Sequence, residues 1–415
     1  MAATAATALV FMRSRARGTV TLATRRQPEK KPPRQSTRLT RNRNAVTAET
    51  IVHEDLNLAA ASLLYDMAAL QPTEQSQFGY KRAAKAIVGL PISVGDLVRA
   101  GTVREIPFVG PASARIITEV VEQGRSPTVE AAIEQSARRS DVTSRRGFRG
   151  GYLSHFALHR ALATPLAKGI VGRADYRGDF QMHSTWSDGV EPIATMAGAC
   201  MELGHTCLGI TDHSYGLPIA RGVSMADVVR QHREIDTLNA KLGSRFRIFR
   251  GIEANILGDG NLDLQPAERA VFEFVVASPH SLLRKSEDQT ARMLKATGAA
   301  GVAILGHPRG RVFNTRPGIT ADWLRVFELA ASRRVAIELD GNWHRQDLDY
   351  ELARHALDAG CIFALDSDAH SIGELRFSDY AIAHARLAEI PRARVINCWS
   401  NEELEEWMTE RRSNW

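Results

Sequence analysis

Asp179-Phe-Gln-Met-His183-Ser-Thr-Trp-Ser-Asp188-Gly189 places a histidine and an aspartate five residues apart, in a turn-rich segment after a short apolar run. Alone the pair means little. The same event recurs over the next two hundred or so residues: a β-branched or aliphatic run ends in a histidine or carboxylate, and a helical stretch follows. Thr206-Cys-Leu-Gly-Ile-Thr211 leads into Asp212 and His213, and Phe246-Arg-Ile-Phe-Arg-Gly-Ile252 into Glu253. Phe274–Pro279 leads into His280, Val302–Gly306 into His307, and Ile362–Ser367 into Asp368 and His370. With a run ending near Asp340, seven strands are predicted. Amphipathic stretches separate them, among them Met225–Leu242, Ser286–Thr297, Ala321–Arg333 and Leu348–Ala359. Such alternation predicts an α/β fold with a parallel sheet. Consecutive strands that deliver ligand-type residues at one end predict a closed barrel, because a flat sheet would spread them apart. Sites at the C-terminal face of the strands are the rule in such barrels.

His183, Asp188, His213, Glu253, His280, His307, Asp368 and His370 form a histidine and carboxylate set without cysteine. That donor chemistry suits Zn²⁺, Mn²⁺ or Fe²⁺ and not a structural thiolate site. Eight candidates exceed what one catalytic ion takes, so two or three divalent ions are expected, with at least one bridging carboxylate. Clustered dications acidify water and neutralise phosphoryl oxygens, the requirements of phosphate-ester hydrolysis. His232, His344, His355 and His384 lie in helical stretches or off the strand ends and are read as structural.

Gly178–Gly189, Ile210–His213, Gly251–Glu253, Ser278–His280, Gly306–Pro308 and Ser367–His370 resemble the motifs of the polymerase-and-histidinol-phosphatase (PHP) domain, above all the C-terminal PHP domain of bacterial family-X DNA polymerases. The resemblance runs from about Tyr176 to the C-terminus. It implies a distorted (βα)7 barrel with a trinuclear centre and manganese-dependent 3′–5′ exonuclease or phosphodiesterase activity on DNA. It also implies that the named residues hold the metals, with Glu253 as the bridge and His307 completing the set or touching substrate. One position departs from the pattern: Gln181 stands where the wider family has the first histidine of a His-x-His pair, and a neutral amide is a poor ligand. Asp212 is a candidate for orienting a ligand or capping a turn. Arg221 and Arg309 are candidates for gripping phosphate.

The chain has 415 residues, 44% hydrophobic and 24% charged, which indicates two or three soluble domains. No apolar stretch reaches the ~20 residues of a membrane span. Four cysteines without paired spacing point to a reducing, cytoplasmic setting. Eleven Lys and Arg residues against one acid in the first 44 residues predict a disordered basic tail over 1–46, which also resembles a transit peptide. Residues 47–126 read as helices: one with its apolar face at Leu56, Ala60 and Leu64, another over Tyr80–Val88, a short one capped by Ser93, and one from Pro111 to Gln123 closed by Gly124.

Phe78–Arg125 resembles the N-terminal helix-hairpin-helix domain of family-X polymerases, with Phe108 at the usual first glycine. The resemblance implies DNA contact through Lys81, Arg82, Lys85, Val109, Gly110 and Ser113. Residues 127–176 read as a solvated basic linker with one short helix near Ser154–Leu162, too short for a polymerase core. The functional expectation is a metal-dependent DNA phosphodiesterase. A small-molecule phosphatase of the histidinol-phosphatase type is the alternative. Oligomeric state is left open.

Overall fold

The computed structural model describes residues 55–165 and 167–413, so the expected tail over 1–46 and the first residues of the helical segment lie outside them. Helix α1 (Leu56–Leu70) is capped by Asp55, whose carboxylate accepts from the Leu58 amide at 3.0 Å. Helix α2 (Glu74–Val88) begins six residues before the predicted Tyr80. Thr73 and Ser76 satisfy each other's amides there as a capping box, a polar signal that apolar periodicity does not register. Helix α3 (Val94–Ala100) is capped by Ser93, and α4 (Pro111–Gln123) ends at Gly124 with φ 70°, as predicted. Ala60, Leu64, Ile87, Ile116 and Ile117 form the core of this helical part.

Residues 127–176 are not the solvated linker expected. They carry α5 (Pro127–Glu134), α6 (Arg139–Arg146) and α7 (His155–Ala163). Val129, Ile133 and Val142 bury into the same core as Leu64 and Ile116. Arg138, Arg139 and Arg145 are exposed as expected, but two arginines tie the segment down: Arg149, 4% exposed, meets Asp66 of α1 at 2.7 Å and the Asn314 side chain at 2.8 Å. Arg146 pairs with the other Asp66 oxygen at 2.7 Å and with Glu130 at 2.9 Å. Composition suggests solvation for these two because their partners lie 80 residues or more away in the chain or in the preceding helix. The Ser154 amide and hydroxyl likewise donate to Asp55, and Arg311 donates to the Gly150 carbonyl at 3.0 Å. Helical part and barrel thus share one compact unit.

The barrel strands are β1 (Gly178–Asp179), β2 (Cys207–Ile210), β3 (Arg247–Asn255), β4 (Phe274–Ser278), β5 (Val302–Leu305), β6 (Ala336–Asp340) and β7 (Ile362–Asp366). They pair in parallel in sequence order. Beyond the last regular pairs, Met182 bridges Ala369 in parallel and the His183 amide donates to the Ala369 carbonyl at 2.9 Å. That contact nearly closes the sheet into the expected seven-stranded barrel. The six crossovers carry α8 (Ile193–Glu202), α9 (Met225–Leu242), α10 (Pro266–Arg269), α11 (Thr290–Thr297), α12 (Trp323–Arg333) and α13 (Tyr350–Asp358), and α14 (Ser378–Leu387) and α15 (Asn401–Ser413) follow β7. Ser286–Thr297 was predicted helical, yet α11 begins only at Thr290, after a loop.

Beneath the strand ends the barrel is plugged by Phe180, Phe249 and Phe274, all essentially inaccessible, with Phe180 6.0 Å from each of the others between ring centroids. Gly209 and Gly251 make room: a Cβ on either would lie 2.5 or 2.4 Å from the Phe274 ring. This floor directs the strand-end side chains upward into one mouth. No helix among the described residues is long and apolar enough to cross a membrane.

Candidate metal centre

Strand alternation and the turns just past the strands deliver the ligand-type residues. Glu253 lies inside β3, while the others follow β1, β2, β4, β5 and β7 by two to nine residues. Two sets of ligand atoms each converge within 4.8 Å: His183, Asp188, His213 and His370, and then His213, Glu253 and His280. His213 belongs to both. Its Nδ1 is 2.7 Å from Glu253 Oε2 and its Nε2 is 3.7 Å from Asp188. Glu253 sits at the middle, 3.0 Å from His307 Nε2, 3.5 Å from His280 Nε2 and 3.7 Å from His183 Nε2.

Apart from the bond between His307 Nε2 and Glu253 Oε1 and the contact of Asp188 with His370, these atoms crowd together without satisfying one another. Both nitrogens of His183, Nδ1 of His213, Oε2 of Glu253 and Nε2 of His280 are buried with no hydrogen-bond partner. Close but misaligned donors and acceptors are aimed at shared third points, and buried polar atoms without partners are otherwise costly. The residues therefore fit divalent ions.

The far sides of the rings are held as ligand geometry requires. His280 Nδ1 meets Asn255 Oδ1 at 3.1 Å, and His370 Nδ1 meets the Asp368 carbonyl at 2.9 Å, leaving each Nε2 for the centre. His307 (φ 22°) and Asp368 (φ 53°) both take left-handed backbone, which positions functional side chains at the expense of local strain. Burial, and then the neighbouring imidazoles, push His183 below its ordinary range, so it stays neutral as a ligand must. Burial opposes ionisation of Asp188, but the bond to His370 and the nearby imidazole of His213 hold its carboxyl at about 2. Burial likewise opposes charge on His370, yet Asp188 and Asp368 push it up to about 9.

The other sequence candidates divide. Asp212 is not a ligand. Fully buried, it accepts from the amides and hydroxyls of Ser184 and Ser187 and from Gln231, and so pins the loop that carries His183 and Asp188. Arg309 does not face the centre with a free guanidinium; it is bound to Asp349 at 3.0 Å and to the Pro317 carbonyl. Arg221 stands exposed in left-handed backbone after a 3₁₀ turn. Gln181 is buried with neither amide atom partnered. In the helical part the Arg82 guanidinium lies 3.6 Å over the Phe108 ring, and Phe108 has φ 69°, the conformation a glycine would favour. Lys81 bonds Gln77 at 2.9 Å. The Val109 and Ser113 side chains are buried and Gly110 is exposed, so contact there would be through backbone amides.

Sequence reasoning missed Arg345. Its Nη1 lies 2.8 Å from Asp368 and 3.4 Å from Asp340, inside a group of buried carboxylates that also includes Glu338. Burial and neighbouring carboxylates push Glu338 and Asp340 far above the usual carboxylate range, whereas Asp368, beside Arg345, is held far below it against the cost of burial. The only sequence signal was position, five residues past the strand-end Asp340.

No family model matches the chain. Over 240 residues it is 36% identical to the DNA polymerase/3′-5′ exonuclease PolX of Bacillus subtilis (strain 168), covering 58% of this chain and 42% of that protein. It is 29% identical over 163 residues to a probable phosphatase of Aliivibrio fischeri (strain MJ11), covering 36% of this chain and 62% of that one. A solved histidinol phosphate phosphatase from Lactococcus lactis, complexed with zinc, L-histidinol and phosphate, aligns with 51% of this chain and 94% of its own at 16% identity and a TM-score of 0.39. The chain thus spans about two-fifths to three-fifths of the length of these curated relatives. The homology to PolX bears out the likeness to PHP-type phosphoesterases read from the motifs.

Proposed function

We propose that the chain is a metal-dependent phosphodiesterase acting on DNA, a 3′–5′ exonuclease or 3′-end-processing enzyme without polymerase activity. The observation that carries the reading is the convergence of His183, Asp188, His213, Glu253, His280 and His370 on two adjoining points with unpartnered ligand atoms. His183, Asp188, His213 and His370 would hold one ion and His280 another, with Glu253 shared between them and His307 steadying Glu253. Mn²⁺ is the first choice, with Zn²⁺ or Fe²⁺ as alternatives. When bound, the ions supply Lewis acidity for water and positive charge for phosphoryl oxygens.

The chain's own residues do the rest. Asp212 fixes the Ser184–Ser187 turn, and so the distance between His183 and Asp188. Arg345 neutralises Asp368 and offers its remaining N–H groups toward a phosphate at the mouth. The helical part, with exposed Lys81, Arg82 and Lys85 and the Gly110 turn, supports a DNA substrate, as does the similarity to PolX. The similarity to probable phosphatases keeps hydrolysis of a small phosphomonoester as the second reading.

One assay separates them. Purified protein with Mn²⁺ is offered labelled DNA and histidinol phosphate side by side. DNA shortening abolished by EDTA and by His213→Ala is expected. Phosphate release from histidinol phosphate alone would establish the second reading, and turnover of neither would refute both.

A further inference from the structure

A cavity of about 620 Å³ opens between the helical part and the barrel. Its walls come from α2, α7, the turn before β1, the loop after β6, the turn after β7 and the start of α14. Two of these segments also serve the metal centre: Trp343 lines the cavity two residues before Arg345, and Gly373 lines it three residues after His370. Along both loops, two or three residues of chain separate a cavity-lining residue from one at the centre. Its lining combines aromatic faces, Trp343, Phe377 and Tyr380, with the cations Lys85, Arg173 and Arg376. Arg173 is paired with Asp379, whereas Lys85 and Arg376 have no carboxylate partner among the described residues. The Lys85 ammonium lies 5.4 Å from the Trp343 ring centroid, a loose contact that a planar group could replace.

We propose that this cavity binds the single DNA strand adjoining the scissile phosphate, with a base stacked on Trp343 and its flanking phosphates on Lys85 and Arg376. The inference rests on the DNA-phosphodiesterase reading and deepens it. Aromatic platforms beside unpaired cations are the chemistry of single-strand recognition, where bases stack without sequence preference and phosphates track the charge. The volume lies in the range of small-ligand pockets, enough for nucleotides of one strand and too small for a duplex. Taking up a base would displace the loose Lys85 contact and leave that ammonium beside the next phosphate. The strand would then enter from the helical part, pass Trp343 and reach the centre at the Arg345 and His370 loops.

The test uses the full chain in EDTA, which stops cleavage, and fluorescence anisotropy of a labelled single-stranded oligonucleotide. Trp343→Ala is expected to weaken binding by between about 5-fold and about 150-fold, the range of one base–aromatic stack. Trp343→Phe should recover part of that loss. Lys85→Glu and Arg376→Glu should each weaken binding and flatten its salt dependence, since each removes a phosphate contact. Should Trp343→Ala fail to fold, the Phe and Glu variants decide. Wild-type cleavage of DNA, with binding and salt slope unmoved by these variants, overturns the cavity assignment and leaves the proposed function standing. A wild-type chain that neither binds nor cleaves DNA removes both.

Discussion

Asp212 offers the sharpest test of how the centre is held. Five donors point at its carboxylate: the Ser184 amide (2.8 Å) and hydroxyl (2.6 Å), the Ser187 amide (3.2 Å) and hydroxyl (2.6 Å), and the Gln231 amide (2.7 Å). In Asp212→Ala the two hydroxyls and Gln231 can rotate toward other partners. The two backbone amides cannot, and each buried orphan costs about 1–3 kcal/mol, so the variant should lose about 2–6 kcal/mol. Asp212→Asn behaves differently. Its oxygen can still face both backbone amides, while its NH₂ meets Ser184 Oγ and a flipped Gln231, whose Oε1 has no partner at present.

The Asn variant therefore gives up only charge assistance, about 1–3 kcal/mol. Loosening the Ser184–Ser187 turn should also weaken Mn²⁺ binding in the Ala variant by about 10- to 100-fold, as for other groups that orient ligands. Urea denaturation of metal-free protein and calorimetric Mn²⁺ titration read both quantities. The reasoning is refuted if Ala lies within about 0.5 kcal/mol of wild type with unchanged Mn²⁺ affinity, or if Asn costs as much as Ala.

Glu253→Gln removes the one carboxylate that touches four imidazoles. Groups that merely orient ligands are worth about 10- to 100-fold in metal affinity, so this change should exceed about 100-fold. Elemental analysis after Mn²⁺ loading checks it, and a full metal complement in the variant would exclude Glu253 as a bridge. His384 is fully buried, taking the Tyr350 amide on Nδ1 and bonding Gln346 through Nε2, and burial lowers its pKa to about 3. The folded state keeps it neutral, so below about pH 6.5 the unfolded chain binds the extra proton and stability falls as pH drops. By about pH 4.5 the loss should reach about 2–3 kcal/mol, and His384→Gln should flatten that slope in urea melts at the two pH values. Arg149→Ala leaves Asp66 buried with half of its compensation gone. It should cost about 3–5 kcal/mol, and an intact melting curve would show the junction of helices and barrel to be softer than its ion pairs imply.

Legibility from sequence followed the range of each signal. Strand ends that carry His or Asp, the Met225–Leu242 helix and the Pro111–Gln123 helix with its Gly124 stop depend on neighbours within one element, and they stand where the pattern placed them. The start of α2 escaped because hydroxyl capping has no apolar period. The basic stretch at Arg138–Arg149 read as solvent-exposed since a charge in the chain does not reveal its partner, and Asp66 lies 83 positions from Arg149. Arg309, next to the His307–Pro308 motif, stands out in sequence, whereas Arg345 does not. Folding gave one to Asp349 and set the other against Asp368.

Local order along the chain therefore determined the barrel, its direction and the donor set gathered at its mouth, because side-chain alternation and turn chemistry act over a few residues. Which imidazoles share Glu253, how Asp212 serves without being a ligand, and where Trp343 meets Lys85 were decided by tertiary structure, since each depends on segments brought together only when the sheet closes.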